Sequence, residues 1–141
     1  MQTHPQILIA DDDPEDVFIM EMMCKELSFS EHIHFVQDGV TALEYLDKLT
    51  EKPLPALIVL DLNMPRLTGT QTLELLKQHA RYHSIRVIIY STFLNEIQKQ
   101  QCINLGAEAF VIKPDTYEEG LEIMQQFHDC SLGNYSFPIA S

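Results

Sequence analysis

Five short apolar runs recur along the chain, Ile7–Ala10, Ile33–Gln37, Ala56–Leu60, Arg86–Tyr90 and Ala109–Ile112, with longer amphipathic segments between them. Runs of this length with few polar interruptions read as strands buried on both faces, as in a parallel sheet covered by helices. The intervening segments carry helix signals. Asp13 followed by Pro14 makes an N-cap and first-turn pair, with Val17, Met20, Cys24 and Leu27 on one face behind it. Asp38-Gly39 turns into a helix through Leu43, Leu46 and Leu49, and Thr70 to Ala80 forms a third with Leu73, Leu76 and Ala80 inward. A fourth, Leu94 to Leu105, is polar and weakly patterned, and Gly106 ends it; a fifth spans Asp115 to His128. Five strand-helix pairs predict an α/β fold. It is a flavodoxin-like, doubly wound, five-stranded parallel sheet of order 2-1-3-4-5 with five helices.

A length of 141 residues fits one domain, expected over residues 1–128, followed by a tail at 129–141 and no output domain. The tail holds Gly, Pro and small polar residues without helical period. The net charge of −12, from 21 acids and 9 bases, excludes wrapping a nucleic-acid backbone as the main task. Three scattered cysteines without metal-binding spacing read as reduced thiols. The start of the chain lacks a signal sequence, and no apolar run reaches membrane-spanning length, so a cytoplasmic protein with no membrane partner is expected.

Strand ends carry the chemistry. The first strand runs into Asp11-Asp12-Asp13 and the third into Asp61, and the expected order brings those ends together. Asp13 reads as the helix cap. Two carboxylates about 4 Å apart repel by roughly 4 kcal/mol at an effective dielectric of about 20, so such a cluster takes up protons or a cation. Oxygen ligands of this kind suit Mg2+. The fourth strand ends at Ser91-Thr92, hydroxyls able to donate to an anion, and the fifth at Lys113, a cation suited to phosphate. Carboxylate, metal, hydroxyls and ammonium together make a phosphoryl-transfer site with Asp as acceptor.

From Gln6 to His128 the chain resembles the receiver domain of bacterial two-component response regulators of the stand-alone type. The matching pieces are Asp11-Asp12 after "ILIA", Asp61 in "LDLNMPRLTG", Ser91 after "VIIY" and Lys113-Pro114 after "FVI". The resemblance implies that Asp61 is the phosphoacceptor, attacking a phosphohistidine on a sensor histidine kinase. It implies Mg2+ held by Asp12, Asp61 and the backbone carbonyl of Asn63, with Asp11 acting through water. Lys113 would pair with Asp61 and then with the phosphoryl group, Ser91 and Thr92 would bind that group, and Ser91 with Phe110 would form the switch. Phe110 stands where Tyr is commoner, so an output step using that hydroxyl is not expected. The resemblance also implies a cis bond before Pro114, which a tertiary amide permits at about 0.5–1 kcal/mol.

Asn63 lies two residues past Asp61, and Phe93 two past Ser91, where many members carry a polar group. An apolar ring there hinders an in-line water, so self-dephosphorylation is expected to be slow to intermediate. Such a protein catalyses only its own phosphorylation and dephosphorylation. Its partners would be a sensor kinase, phytochrome-type or hybrid, and a histidine phosphotransfer protein; the oligomeric state is left open, a homodimer included. An alternative, a Mg2+-dependent aspartate-nucleophile phosphohydrolase, wants a second acid where Asn63 stands. His32 and His34 are expected on one face of the second strand.

Overall fold

The computed structural model describes residues 5–93 and 95–138. The strands are β1 (Ile7–Ala10), β2 (Ile33–Val36), β3 (Leu57–Leu60), β4 (Arg86–Ser91) and β5 (Ala109–Ile112). The helices are α1 (Pro14–Glu26), α2 (Gly39–Asp47), α3 (Gly69–Gln78), α4 (Glu96–Asn104) and α5 (Tyr117–Ser131). All strand pairs are parallel, in the order β2-β1-β3-β4-β5. The expected topology is the observed one.

Alternate strand residues serve opposite cores, as a period of two requires. Leu8, Ala10, Ile58, Leu60, Val87, Ile89 and Phe110 face the layer that holds α2 and α3. Ile7, Ile9, Leu57, Val59, Ile88, Tyr90 and Ala109 face α1 and α5. Both layers are needed because β1 and β3 are buried at every position.

The helix starts are set by side-chain caps. The Asp13 carboxylate accepts from Glu15 N at 2.9 Å, with Pro14 filling the first helical position. Asp38 with Thr41, and Thr68 with Gln71, form reciprocal capping boxes on α2 and α3. Asn95 caps α4, which begins at Glu96; the expected start at Leu94 lies outside the described residues.

Several expected boundaries move, each for a local reason. Helix α3 ends at Gln78 rather than Ala80, because His79 takes extended backbone and stacks on Tyr82 at 4.0 Å, which leaves Ala80 exposed rather than inward. Helix α5 begins at Tyr117 because Thr116 is its N-cap, leaving Pro114 and Asp115 in the preceding loop. It runs on to Ser131, since Phe127 and Cys130 are fully buried beyond the middle of the helix. The core also continues past the expected boundary at His128. Phe137 returns to lie 5.5 Å from Phe127 and is itself buried, with Tyr135 edge-on to it. Burying a ring of that size contributes about 2–3 kcal/mol, which holds this part of the tail down without any helix. Residues 1–4 and 139–141 of the expected domain and tail lie outside the described residues.

His32 is not on β2. It closes a 3-10 turn, Ser30–His32, and packs edge-on against His128 of α5, whereas His34 on β2 stacks on Tyr45 of α2. The two imidazoles serve different layers. No described helix is long and apolar enough to cross a membrane.

Candidate phosphoryl-transfer site

The parallel sheet delivers its functional residues one step past the strands' C-terminal ends. Asp11 N donates to Val36 O at 3.0 Å, Asp61 N to Ala10 O at 3.0 Å, and Lys113 N to Ser91 O at 2.7 Å. Each residue therefore hangs from the last rung of a ladder between neighbouring strands. Their backbones are as fixed as the sheet itself, while their side chains project beyond it.

Three carboxylates converge there. Asp11, Asp12 and Asp61 each offer an oxygen within 4.8 Å of the others. They differ in surroundings: Asp11 is buried, Asp61 is 12% exposed at its side chain, and Asp12 faces solvent. Both Asp11 oxygens are engaged, one accepting from Asp13 N at 2.9 Å and the other from Lys113 Nζ at 2.8 Å. Burial pushes the Asp61 carboxyl up to about 6; Lys113 opposes that rise and the Asp11 charge adds to it. Burial also raises Asp11, against the hydrogen bonds from Lys113 and Asp13.

Lys113 is the single ammonium among them. Its Nζ lies 2.8 Å from Asp11, 2.9 Å from Asp16 and 3.7 Å from Asp61. Burial pulls the ammonium downward, but hydrogen bonds to Asp11 and Asp16 and the nearby negative charges outweigh it and hold it above the ordinary lysine range. Asp16 is the site residue that sequence reasoning misses. Its place on the first turn of α1 reads as a charge complementing the helix N-terminus, and nothing in its spacing announces a reach across to the end of β5.

The remaining expected residues take distinct positions. Ser91 is buried and its Oγ donates to the Phe93 carbonyl at 3.4 Å, while Thr92 and Asn63 are exposed. Phe110 is buried on the same face of the sheet as Ile89, its register partner on β4. There is no cis peptide bond among the described residues, so Lys113–Pro114 is trans, correcting the cis expectation. The trans isomer is the default of the tertiary amide.

The loop after Asp61 is tied down twice. Gly69 N donates back to Leu62 O at 2.9 Å, closing the turn. Arg66, in left-handed backbone at φ 65°, reaches the buried Asp38 through Nε at 3.1 Å and Nη2 at 2.9 Å. This bidentate pair joins the loop to the start of α2. Burial pushes Asp38 up, but the Thr41 backbone and Arg66 hydrogen bonds prevail and hold it below the usual carboxylate range.

Residues 7–125 match the response regulator receiver domain. The chain belongs to that family. Among known receivers and regulators, the response regulator Rcp1 of Synechocystis is 25% identical over 137 residues, covering 95% of this chain and 93% of Rcp1. The structure of response regulator RPA3017, described as acting in red light signaling of R. palustris, is 28% identical with a TM-score of 0.80, covering 97% of this chain and all of that one. The phosphorylated cyanobacterial phytochrome response regulator RcpA superposes with a TM-score of 0.82 at 23% identity, over 96% of this chain and 99% of its own, a likeness of fold. As a two-component receiver, the chain holds its acidic cluster, hydroxyls and lysine at the strand ends of a receiver sheet.

Proposed function

We propose that Asp61 is the acceptor of a phosphoryl group carried on a histidine of a sensor kinase. The placement of Asp61 carries this reading: its carboxylate hangs from the end of β3, beside Asp11 and Asp12 and 3.7 Å from the Lys113 ammonium. In the transfer, an Asp61 oxygen forms the new P–O bond, the P–N bond to imidazole breaks, and the imidazole leaves with the bonding electron pair and takes up a proton.

The donor set fits Mg2+. All the groups are hard oxygens, and Asp11, Asp12, Asp16 and Asp61 stand against one ammonium, so the site has unneutralised negative charge. Asp12, Asp61 and the Asn63 carbonyl would hold the ion, with Asp11, both of whose oxygens are engaged, acting through water. Once bound, Mg2+ supplies positive charge to the oxygens of the transferring group.

Lys113 neutralises charge on the phosphoryl oxygens, and Ser91 and Thr92 donate to them. Ser91 turns toward the new anion by giving up its weak bond to Phe93 O, and Phe110, beside it on the same face, follows into the space. Output then passes through the exposed apolar residues Phe93, Ile97 and Ile112 around β4, β5 and α4, either to a docking protein or by onward transfer to a histidine phosphotransfer protein. The description of RPA3017 as acting in red light signaling, together with that of RcpA as a phytochrome response regulator, favours a light-sensing, phytochrome-type kinase as donor.

Incubation with Mg2+ and acetyl phosphate, followed by intact mass spectrometry, tests the acceptor. One phosphoryl group is expected on the wild type and none on Asp61→Asn. Gain of a phosphoryl group by the variant would move the acceptor elsewhere, and continuous release of phosphate at enzymatic rates would favour a hydrolase.

Phe93 bears on the lifetime of the product. The ring, two residues past Ser91, is 59% exposed and offers no group to orient water. The phosphoryl group is therefore expected to outlast a few seconds, and Phe93→Glu to shorten its half-life by about tenfold, short of the roughly 10²–10⁴-fold of a fully positioned acid-base group. Equal half-lives in a chase that removes the phosphodonor by rapid desalting and keeps Mg2+ saturating would remove Phe93 from the account.

A further inference from the structure

Lys113 makes an ion pair with the acceptor in the resting protein but no hydrogen bond to it. Its Nζ hydrogen-bonds Asp11 at 2.8 Å and Asp16 at 2.9 Å, while 3.7 Å to Asp61 exceeds hydrogen-bond range. Of these partners, Asp11 belongs to the converging carboxylate cluster and Asp16 does not. Asp16 arrives instead from the first turn of α1, where the Asp13 cap fixes the backbone, and its side chain is one-third exposed.

From this geometry we propose that Asp16 is a positioning residue, a restraining counter-ion that draws Lys113 toward α1 and away from the acceptor until a phosphoryl group competes for it. The proposal rests on Asp61 being the acceptor. The Lys113 ammonium has three N–H bonds; one serves Asp11 and one Asp16, and the Asp16 bond is the one that can be exchanged. Asp11 is buried and cannot lose its cation without cost, whereas Asp16 is partly hydrated and sits at a helix N-terminus, which stabilises its charge independently. Releasing Asp16 is thus the cheaper route by which Lys113 reaches the phosphoryl oxygens. Asp16 thereby sets how readily the receiver is phosphorylated, without touching the reacting atoms.

The test compares acetyl phosphate phosphorylation rates at saturating Mg2+ in wild type, Asp16→Asn, Asp16→Ser, Asp16→Glu and Glu15→Gln. Both carboxylate-free Asp16 variants are expected to react about fivefold faster, the scale of a partly exposed ion pair. Asp16→Glu should stay near wild type. Glu15 is an exposed neighbour with no bond to Lys113, so Glu15→Gln removes the same charge and should change the rate less than about twofold.

A second readout needs neither metal nor donor: the Lys113 ammonium signal in 15N NMR should move in Asp16→Asn and not in Glu15→Gln. Rates for Asp16→Asn that equal wild type, match Glu15→Gln or fall below wild type would overturn the restraint, as would an unmoved Lys113 signal. Absence of phosphorylation in the wild type would instead sink the acceptor reading, and the NMR comparison would still report on the Lys113–Asp16 pair.

Discussion

Lys113→Met lowers the stability of the metal-free protein at neutral pH by about 3 kcal/mol, and it cuts phosphorylation from acetyl phosphate by about 100-fold. The first effect follows from burial. Asp11 is 2% exposed and Lys113 11%, so removing the ammonium strands a buried carboxylate whose other oxygen has only a backbone N–H. The second follows from the loss of the ammonium that stands 3.7 Å from Asp61 and neutralises charge on the phosphoryl oxygens beside any metal ion.

The pH dependence separates the two effects. Burial already holds Asp61 up at about 6 and raises Asp11 in the wild type. A carboxyl raised above its unfolded value near 3.8 binds its proton more tightly when folded, so its contribution is fully present below about 3.8 and is lost as pH rises through about 6. Lys113 lowers both groups, and without it both climb further. The stability gap between wild type and variant should therefore be small near pH 4 and widen toward pH 7 and above in urea titrations with EDTA. Added Mg2+ should narrow the gap in stability and leave the rate defect. An unchanged gap across this pH range would mean that Lys113 does not neutralise the cluster.

Much of this architecture is legible in residue types because each strand is short, apolar and ended by a polar group. Asp13-Pro14 announces the start of α1, and the Asp11, Asp61 and Lys113 strand ends announce the cluster. The strand order comes from class rather than from any residue, since alternation says that units succeed one another and not which ones pair.

The features that local pattern does not carry have the opposite character. Asp16 meets Lys113 across 97 residues, from a helix turn whose acid already has a local reason to be there. Tyr135 and Phe137 anchor the tail through ring contacts that carry no periodicity. Alternation extended backward from β2 would put His32 on the strand, but the Ser30–His32 turn holds that residue and sends its ring to α5. The tie between Arg66 and Asp38 likewise depends on a left-handed backbone at a residue that is not Gly, which no local pattern predicts.

Gly69→Ala should cost about 3 kcal/mol in stability, at the upper end for an added methyl group, and should impair phosphorylation beyond what unfolding explains. Gly69 opens α3, and its backbone is not in the left-handed region, so conformational freedom is not the reason glycine stands there. Space is. A Cβ at this position would overlap the carbonyl oxygen of Asp61 and lie 2.9 Å from Leu62 Cα and 3.0 Å from Asp61 C. All three are main-chain atoms of the acceptor turn and cannot rotate aside as a flexible side chain would. Either α3 lifts, opening the packing of Leu73 and Leu76, or the turn after Asp61 moves and carries the carboxylate and the Asn63 carbonyl with it. Gly133→Ala provides the contrast. Gly133 has φ 82° and no atom lies within 4 Å of where its Cβ would stand, so only backbone strain of about 1 kcal/mol applies. Phosphorylation rates taken at a temperature where both variants remain folded should fall for Gly69→Ala and stay at wild type for Gly133→Ala. Wild-type melting and rate in Gly69→Ala would show that the turn has slack, and that Asp61 is positioned by its strand alone.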